Sequence, residues 1–544
     1  MAVITVNKFS GVSPMTPPRY LSNEAAQTAL NCPVWKGSLQ PIKGALELTP
    51  SPLTKSGNIK SIYRFGQSET NQLNHWFHWT TDVDVVQGFI SGDTTERTYF
   101  TGDGNPKVTN ATLGLTGGGN LYPIAAYDIG VPKPTGTFTT AKTGTASANT
   151  TAETRVYTFT YVNSFGEEST PYSETDMSPS TEDVFPGESV VVTLPTAPSG
   201  NFNVTKKRIY RSAVGTANTS YFFVAEVAVA VTTYTDSLDG DDLNEELPSL
   251  TWVQPPSTLK GLVGMPNGVM AGFSGNDVYF SEPFRPFAWP TQYVQTVGYP
   301  VVGLGVIDTT VVVLTKGRPY FIQGSHPDSS VMVEADVNQA CISKRSIVSM
   351  NNNVFFASPD GVVALSPGGS SIVTESLFDK ETWQAQSPDD LVACMYESQY
   401  VGFFDTTSGN GGFVYDMKQK TWNFHNVYVT GAYNDLKNDS LYIIKSNELY
   451  KWDSGSDLSY TWKSKKYTFP EPKSFSCYRV EAEGYPVTVK IYKDSSAVVN
   501  LSVTDNSLRR LPPGLGTTWE FQLEGNKEVY NVQLAQTPQE LNQG

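Results

Sequence analysis

The chain has 544 residues, with 38 Lys and Arg against 53 Asp and Glu and a formal net charge of −15. That balance excludes a sequence-independent grip on nucleic acid, which needs a net basic face. Only 17% of residues are charged while 12% are aromatic, and Gly 45 and Pro 35 supply many turns, so the composition excludes disorder and points to a folded, mainly β protein. At this length about three or four domains are expected, with ample core and no need of disulfides.

Residues 1–130 begin with Pro-rich turns. Asn23 then stands where it caps a short helix over 24–30, and the remainder of NEAAQTALNCPVWKGSLQPIKGA reads as strand and turn. IKSIYRFG, HWFHWTTDVDVV and ERTYFTGDGNPKVTN follow, β-branched and aromatic runs broken by Gly, Asn and Asp, predicting a meander of four or five strands. The small-residue stretch 131–150 reads as a linker or an exposed domain edge.

A separate β unit occupies 131–248. RVYTFTYVNS alternates, placing Val156, Thr158, Thr160 and Val162 on one face and Tyr157, Phe159 and Tyr161 on the other, the signature of a half-buried strand. SVVVTL, KKRIYRS, SYFFVAEV and TTYTD add strands at the spacing of an immunoglobulin-like or fibronectin-like sandwich. Its exit holds Asp236, Asp239, Asp241, Asp242, Glu245 and Glu246. With Gly240 at loop position six, Thr235 and Ser237 fall where an EF-hand needs carboxylate or amide ligands, so a solvated acidic linker is the expectation.

From 249 to 455 the chain presents strand, polar turn and strand in GNDVYFSEP, NNVFFASPDGVVALSP, QYVGFFDTTSGNGGFVYDMKQKTWNFH and DSLYIIKSNELYKWD, at a loose period of about 45 residues. Antiparallel units of that size are propeller blades. Thr374 is placed to cap one helix in ESLFDKETW, with Phe378 and Trp383 inward. In SEPFRPFAWP the prolines hold the chain extended while Phe284, Phe287 and Trp289 bury area; core packing is favoured over an interface anchor that would also use Arg285. Residues 456–544 read as a small appended β domain. The fold class is therefore all-β, an irregular β-propeller in two parts, 1–130 and 249–455, with an inserted sandwich and a C-terminal β domain.

Residues able to carry chemistry are sparse. Cys32, Cys341, Cys394 and Cys477 lie far apart, without a CxxC pair, which disfavours a zinc site or a disulfide scaffold and fits a reducing compartment. No stretch has the length or apolarity of a membrane span, and the first residues lack the pattern of a signal peptide. His75 and His78, three apart in HWFHW, fall on opposite faces of a strand and read as structural, as do His326 in GSHPDSS and His425 beside Trp422 and Phe424. No GxSxG elbow, phosphate-binding loop or HExxH is present. Asp360 in SPDGVV and Asp405 in FFDTTSGNGG are the carboxylates a glycosidase reading would use, yet the Ser-x-Asp-x-Gly-x-x-Trp spacing is absent around both. The expectation is no catalytic, cofactor-binding or metal-binding residue and no enzyme activity; a glycan-binding or glycan-cleaving propeller at a host surface is the alternative.

Several stretches, taken in order, resemble the tail nozzle proteins of short-tailed bacteriophages, also called tail tubular protein B. They are NEAAQTALNCPVWKGSLQPIKGA, ERTYFTGDGNPKVTN, RIYRS, PPSTLKGLVGMPNGVMAGFSGNDVYFSEPFRPFAWP, GSHPDSS, NQACISKRSIV and SPDGVVALSPGGSSIVTESLFDKETW, together spanning most of 20–385. The resemblance implies a virion structural protein, made in the host cytoplasm, that forms a homohexamer below the head-to-tail adaptor, closes the tail tube and conducts DNA at ejection. Implied partners are the adaptor above, tail fibres or spikes at the side, and genomic DNA passing through the lumen without specific binding. Six copies would carry six times −15, or −90, formal charges, and an acidic lumen would let phosphates slide past.

Overall fold

The computed structural model describes all residues except 1–2, 34–35, 67–74, 118, 173–179, 213–219, 376, 405–410, 419 and 543–544. Among the described residues the protein is all-β, apart from two five-residue helices and short 3-10 turns. Seven small antiparallel sheets follow one another along the chain and resemble propeller blades. Sheet I has strands Ser61–Arg64 and Trp76–Trp79, and sheet II runs from Asp84–Gln87 to Tyr127–Asp128. Sheets III to VII open with Lys260–Gly264, Val301–Ile307, Val348–Met350, Val392–Tyr396 and Gly431–Asp435. The last of these has only three strands of its own, and Leu46–Glu47 pairs with Glu448–Lys451 to complete it.

Packing explains why the sheets close on themselves. In sheet IV, Val311 and Val313 face sheet III, while Val312 and Leu314 face sheet V. Alternation in a strand separates these sets, and because both faces meet another sheet the strand reads as an unbroken apolar run rather than a half-polar one. The same sorting recurs at each junction. Val354, Phe356 and Val363 of sheet V face sheet IV, whereas Phe355 and Val362 face Tyr400 and Phe413 of sheet VI. Val401 and Val414 meet Leu441 and Ile443, and Ile444 and Leu449 meet Ile62 and Trp76. Phe77 and Trp79 then meet Phe100, and Tyr99 and Val108 meet Leu262 and Met270. Seven junctions each carry their own apolar cluster, so the cycle returns to its starting sheet.

Between sheets II and III the chain makes a two-layer sandwich. One layer holds Thr139–Gly144, Glu188–Thr193 and Thr233–Asp236; the other holds Glu153–Asn163, Thr181–Val184, Val204–Ser212 and Tyr221–Ala228. The Glu153–Asn163 strand departs from the half-buried expectation. Tyr157, Phe159 and Tyr161 face the sandwich core, but the chain at 168–172 covers the other side, where Thr160 Oγ1 donates to Glu168 Oε1 at 2.6 Å and Thr158 Oγ1 donates to the Tyr172 carbonyl at 3.0 Å.

The two ends of the chain meet. Val3–Val6 pairs with Val529–Ala535, and Ala26–Leu30 lies between Thr421–His425 of sheet VI and Tyr460–Ser464. Residues 3–30, grouped by sequence with the first blade segment, thus hydrogen-bond to the C-terminal strands. The helix expected over 24–30 is a strand. Ala26 and Ala29 are fully buried where two sheets converge, and the ladder there satisfies backbone groups that a helix would leave facing a sheet edge. The Ala26–Leu30 strand fuses sheet VI with the C-terminal strands, ending at Ser496–Val503. The second expected helix is shorter than ESLFDKETW. It spans Lys380–Gln384, capped by Asp379, whose Oδ1 accepts from the Thr382 N–H at 2.7 Å, while Thr374 Oγ1 instead accepts from the Val362 N–H at 2.9 Å.

Candidate functional site

Where the first strands of the sheets converge, one charged cluster bridges the cycle. Asp82 and Asp84 alternate with Val83 and Val85, so the strand places the carboxylates on one side and the valines in the sheet I–II cluster. The 3-10 turn Lys344–Ser346, ahead of sheet V, sends Lys344 across to them: its Nζ lies 2.7 Å from Asp84 Oδ2 and 3.1 Å from Asp82 Oδ2. The Gly261 N–H of sheet III donates to the same Asp84 oxygen at 3.0 Å. Arg345 donates to the carbonyls of Thr430 and Lys60, ahead of sheets VII and I. A cavity of about 240 Å³ remains here, lined by Ser61, Asp84, Lys344, Arg345 and Tyr433 among others.

Electrostatics makes this cluster a clamp. Burial pushes the Asp84 carboxyl up against the pull of Lys344. Burial pulls Lys344 down, but Asp84 and Asp82 outweigh it and its net shift is upward. An ammonium held charged by two carboxylates is no nucleophile or base; it ties sheets II and III to the turn ahead of sheet V. Sequence reasoning did not single out these residues. The Asp-x-Asp alternation in DVDVV was the available signal, whereas the partner 260 positions away was invisible.

The sequence candidates are dispersed. His78 is buried in sheet I: its Nδ1 donates to the Trp76 carbonyl at 2.9 Å and its Nε2 accepts from the N–H groups of Thr54 and Lys55 at 3.2 and 3.1 Å. Burial pulls its pKa down to about 4. His75, just ahead of the strand, sets its ring edge against Tyr122. His425 lies buried between Phe403 and Trp452, donates from Nε2 to the Gly402 carbonyl at 3.1 Å, and is held neutral by burial with a pKa of about 3. His326 caps the turn Pro327–Ser329 through Nδ1. Asp360 is engaged by Gln339 Nε2 at 2.7 Å and Lys380 Nζ at 2.8 Å, which pull its pKa down and keep it an anion rather than an acid. Asp405 lies outside the described residues.

Two expectations need correction. In the acidic exit, Asp239, Asp241, Asp242, Glu245 and Glu246 are exposed, but Asp236 is buried, its Oδ2 accepting from Arg211 Nη1 at 2.8 Å and Tyr157 Oη at 2.7 Å. It belongs to the sandwich core because strand Thr233–Asp236 carries it under the opposite sheet. In SEPFRPFAWP, Trp289 is buried and its Nε1 donates to the Pro286 carbonyl at 2.8 Å, yet Phe284 is 59% exposed. Phe284 adopts a φ of 58° in the turn between Glu282 and Arg285, which aims its ring over Gly268 instead of into the core. Arg285 stacks over Trp252, 4.9 Å from the ring centroid.

The four cysteines are free, three of them buried; burial pushes the thiols of Cys341 and Cys394 up to about 12, which makes them unreactive. Among the described residues no group of three or more His, Cys, Asp or Glu is arranged to hold a metal ion. No helix among them is long and apolar enough to cross a membrane.

No protein-family model and no curated protein matches the chain. Similar solved structures are β-propellers. BBS1N, solved in complex with ARL6DN, is 10% identical with a TM-score of 0.29 over 77% of this chain and 99% of that one. BamB from Moraxella catarrhalis is 12% identical with a TM-score of 0.26 over 54% and 91%. PorZ of Porphyromonas gingivalis is 11% identical with a TM-score of 0.25 over 89% and 82%. At these values no conclusion about activity or partner follows from them.

Proposed function

We propose that this chain is the nozzle of a short-tailed bacteriophage, a virion structural protein with an irregular propeller, an inserted sandwich and an appended β domain. Six copies form a ring below the head-to-tail adaptor, with fibres or spikes at its side, closing the tail tube and conducting DNA at ejection. The observation that carries the reading is the ordered run of family-like segments, which fall on consecutive structural units: the closing strand of sheet VII at 46–47 follows the first, sheet II holds the second, the sandwich the third, and sheets III to V the rest. The engagement of the Lys344 clamp across the cycle also favours a DNA path between copies over one through a single chain. The acidic balance suits such a path, since phosphates slide past a surface of like charge. Mass spectrometry of purified particles tests this: the chain is expected at about six copies per tail, and its absence from particles overturns the reading.

A further inference from the structure

We infer that the joint between the inserted sandwich and sheet II is operated by a proton on Glu167: the sandwich is seated while that carboxyl is neutral and loosens when it ionises. The SFGEES turn is the plug of this joint. Phe165 leaves the sandwich and packs into the apolar cluster shared by sheets II and III, its ring 6.0 Å from that of Tyr127 and the Arg97 guanidinium 4.5 Å over it. Two hydrogen bonds cross the same seam, from the Asp128 N–H to the Asn201 carbonyl at 3.0 Å and from Asn201 Nδ2 to the Ala126 carbonyl.

Two neighbouring carboxyls in the plug, both buried, are treated differently. Glu168 is saturated from within the sandwich: Oε1 accepts from Thr160 Oγ1 at 2.6 Å and Tyr210 Oη at 2.7 Å, and Oε2 accepts from Arg208 Nη1 at 3.0 Å. Glu167 is only half satisfied. Its Oε2 accepts from Asn163 Nδ2 at 2.7 Å, but its Oε1 has no hydrogen bond, and neither has Arg97 Nε. Arg97 Nη1 stands 3.5 Å from that open oxygen, while Arg97 Nε is 4.0 Å from Asp93 Oδ2, so one guanidinium is shared between two carboxylates. The other titratable groups at the seam are the Tyr99 phenol, which faces Glu167 and Arg97, and Asp128, held by Asn105 Nδ2 at 3.0 Å. A buried carboxylate with one open oxygen and half a cation is costlier than the neutral acid, and burial pushes the Glu167 carboxyl up to about 7. Its cover is drawn from both units, so parting them lets water reach it and returns it to an ordinary carboxyl near 4.5. Seating is therefore strongest below that value and weakens by up to about tenfold per pH unit until the pH passes about 7. Above it the sandwich is free to swing about its two connections to the propeller.

Hydrogen–deuterium exchange of the full chain at about pH 5.5, about 7 and about 8.5, with each rate divided by the intrinsic chemical rate at that pH, tests it. Seam peptides over 124–130 and 163–168 are expected to lose protection at least about tenfold between the first two pH values and to level off between the last two. A sheet V peptide over 353–366 is expected to keep its protection throughout. In Glu167→Gln, where the side chain is neutral at every pH, the seam is expected to stay protected. Unchanged seam protection in the wild type, a loss that continues undiminished above about pH 7, or the same profile in Glu167→Gln overturns the inference. So does an equal loss over sheet V, which reports unfolding of the chain and not release of a joint. The wild-type profile, with its plateau and its sheet V control, decides the matter even where the variant does not fold.

Discussion

Glu167 shows how much a single carboxyl can depend on what the fold lays over it. It lies in the SFGEES turn, where the sandwich meets sheet II, with Asn163 Nδ2 donating to it at 2.7 Å and Arg97 3.5 Å away, the guanidinium also stacked over Phe165. Burial pushes its pKa up to about 7, against the pull of Asn163 and Arg97. An acid raised in the folded state binds more protons there than in the unfolded chain, so stability is highest below the unfolded value near 4.5, falls as pH rises through the window to about 7, and levels off above it. The loss across that window is expected to be about 2–3 kcal/mol. Glu167→Gln should flatten this part of the profile in urea unfolding followed from pH 5 to 8; parallel curves for the two proteins would refute the assignment. The turn itself was legible as Ser, Gly and Glu between strands. That both its carboxyls, Glu167 and Glu168, would be buried was not, because the cation over Glu167 comes from Arg97, 70 positions earlier.

At the scale of elements, close backbone approach decides which glycines matter. Gly412, in the third strand of sheet VI, has the Gly402 carbonyl oxygen 2.0 Å and the His425 ring 2.5 Å from where a Cβ would stand. Gly412→Ala must push the ladder apart, and a loss of about 3 kcal/mol or more is expected by chemical denaturation. Gly368, in the hairpin of sheet V, has its nearest neighbour at 3.7 Å and serves as a control, with Gly368→Ala within about 1 kcal/mol of the wild type. Equal losses would show that the approach is relieved by relaxation. Strand identity was well legible in blade segments, because alternation and Gly or Asn turns are local. Sheet IV, built from VVGLGVIDTTVVVLTKGRPYFIQ, was not among the repeats picked out, although its polar turns at Asp308–Thr309 and Lys316–Arg318 carried the same local signal as the others. The strand Ala26–Leu30 was misread because its alanines favour a helix locally, and only the two sheet edges beside it make a strand better.

For the whole molecule, the cycle is held partly by charge: Lys344 and Arg345 reach several sheets through ion pairs and hydrogen bonds, not through an apolar cluster. Lys344→Ala would leave Asp82 and Asp84 facing each other without a cation, and a loss of about 1–3 kcal/mol at neutral pH is expected, reduced at acid pH because burial raises the Asp84 carboxyl and it protonates there. Thermal melts at the two pH values check this, and an equal loss at both would mean that Lys344 acts through packing. By itself the sequence determined the class of the protein: period-two runs of β-branched and aromatic residues, cut by turn formers every few positions, permit little but short antiparallel strands, and the scarcity of charge keeps them folded. What the tertiary structure decided was everything that depends on residues far apart: seven sheets in a cycle, the N-terminal strand closing the last, both chain ends sharing one sheet, and the clamp at the centre. The physical reason is range. Alternation and turn chemistry act over a few residues, whereas burial, ion pairing and edge pairing depend on which distant surface the chain brings back.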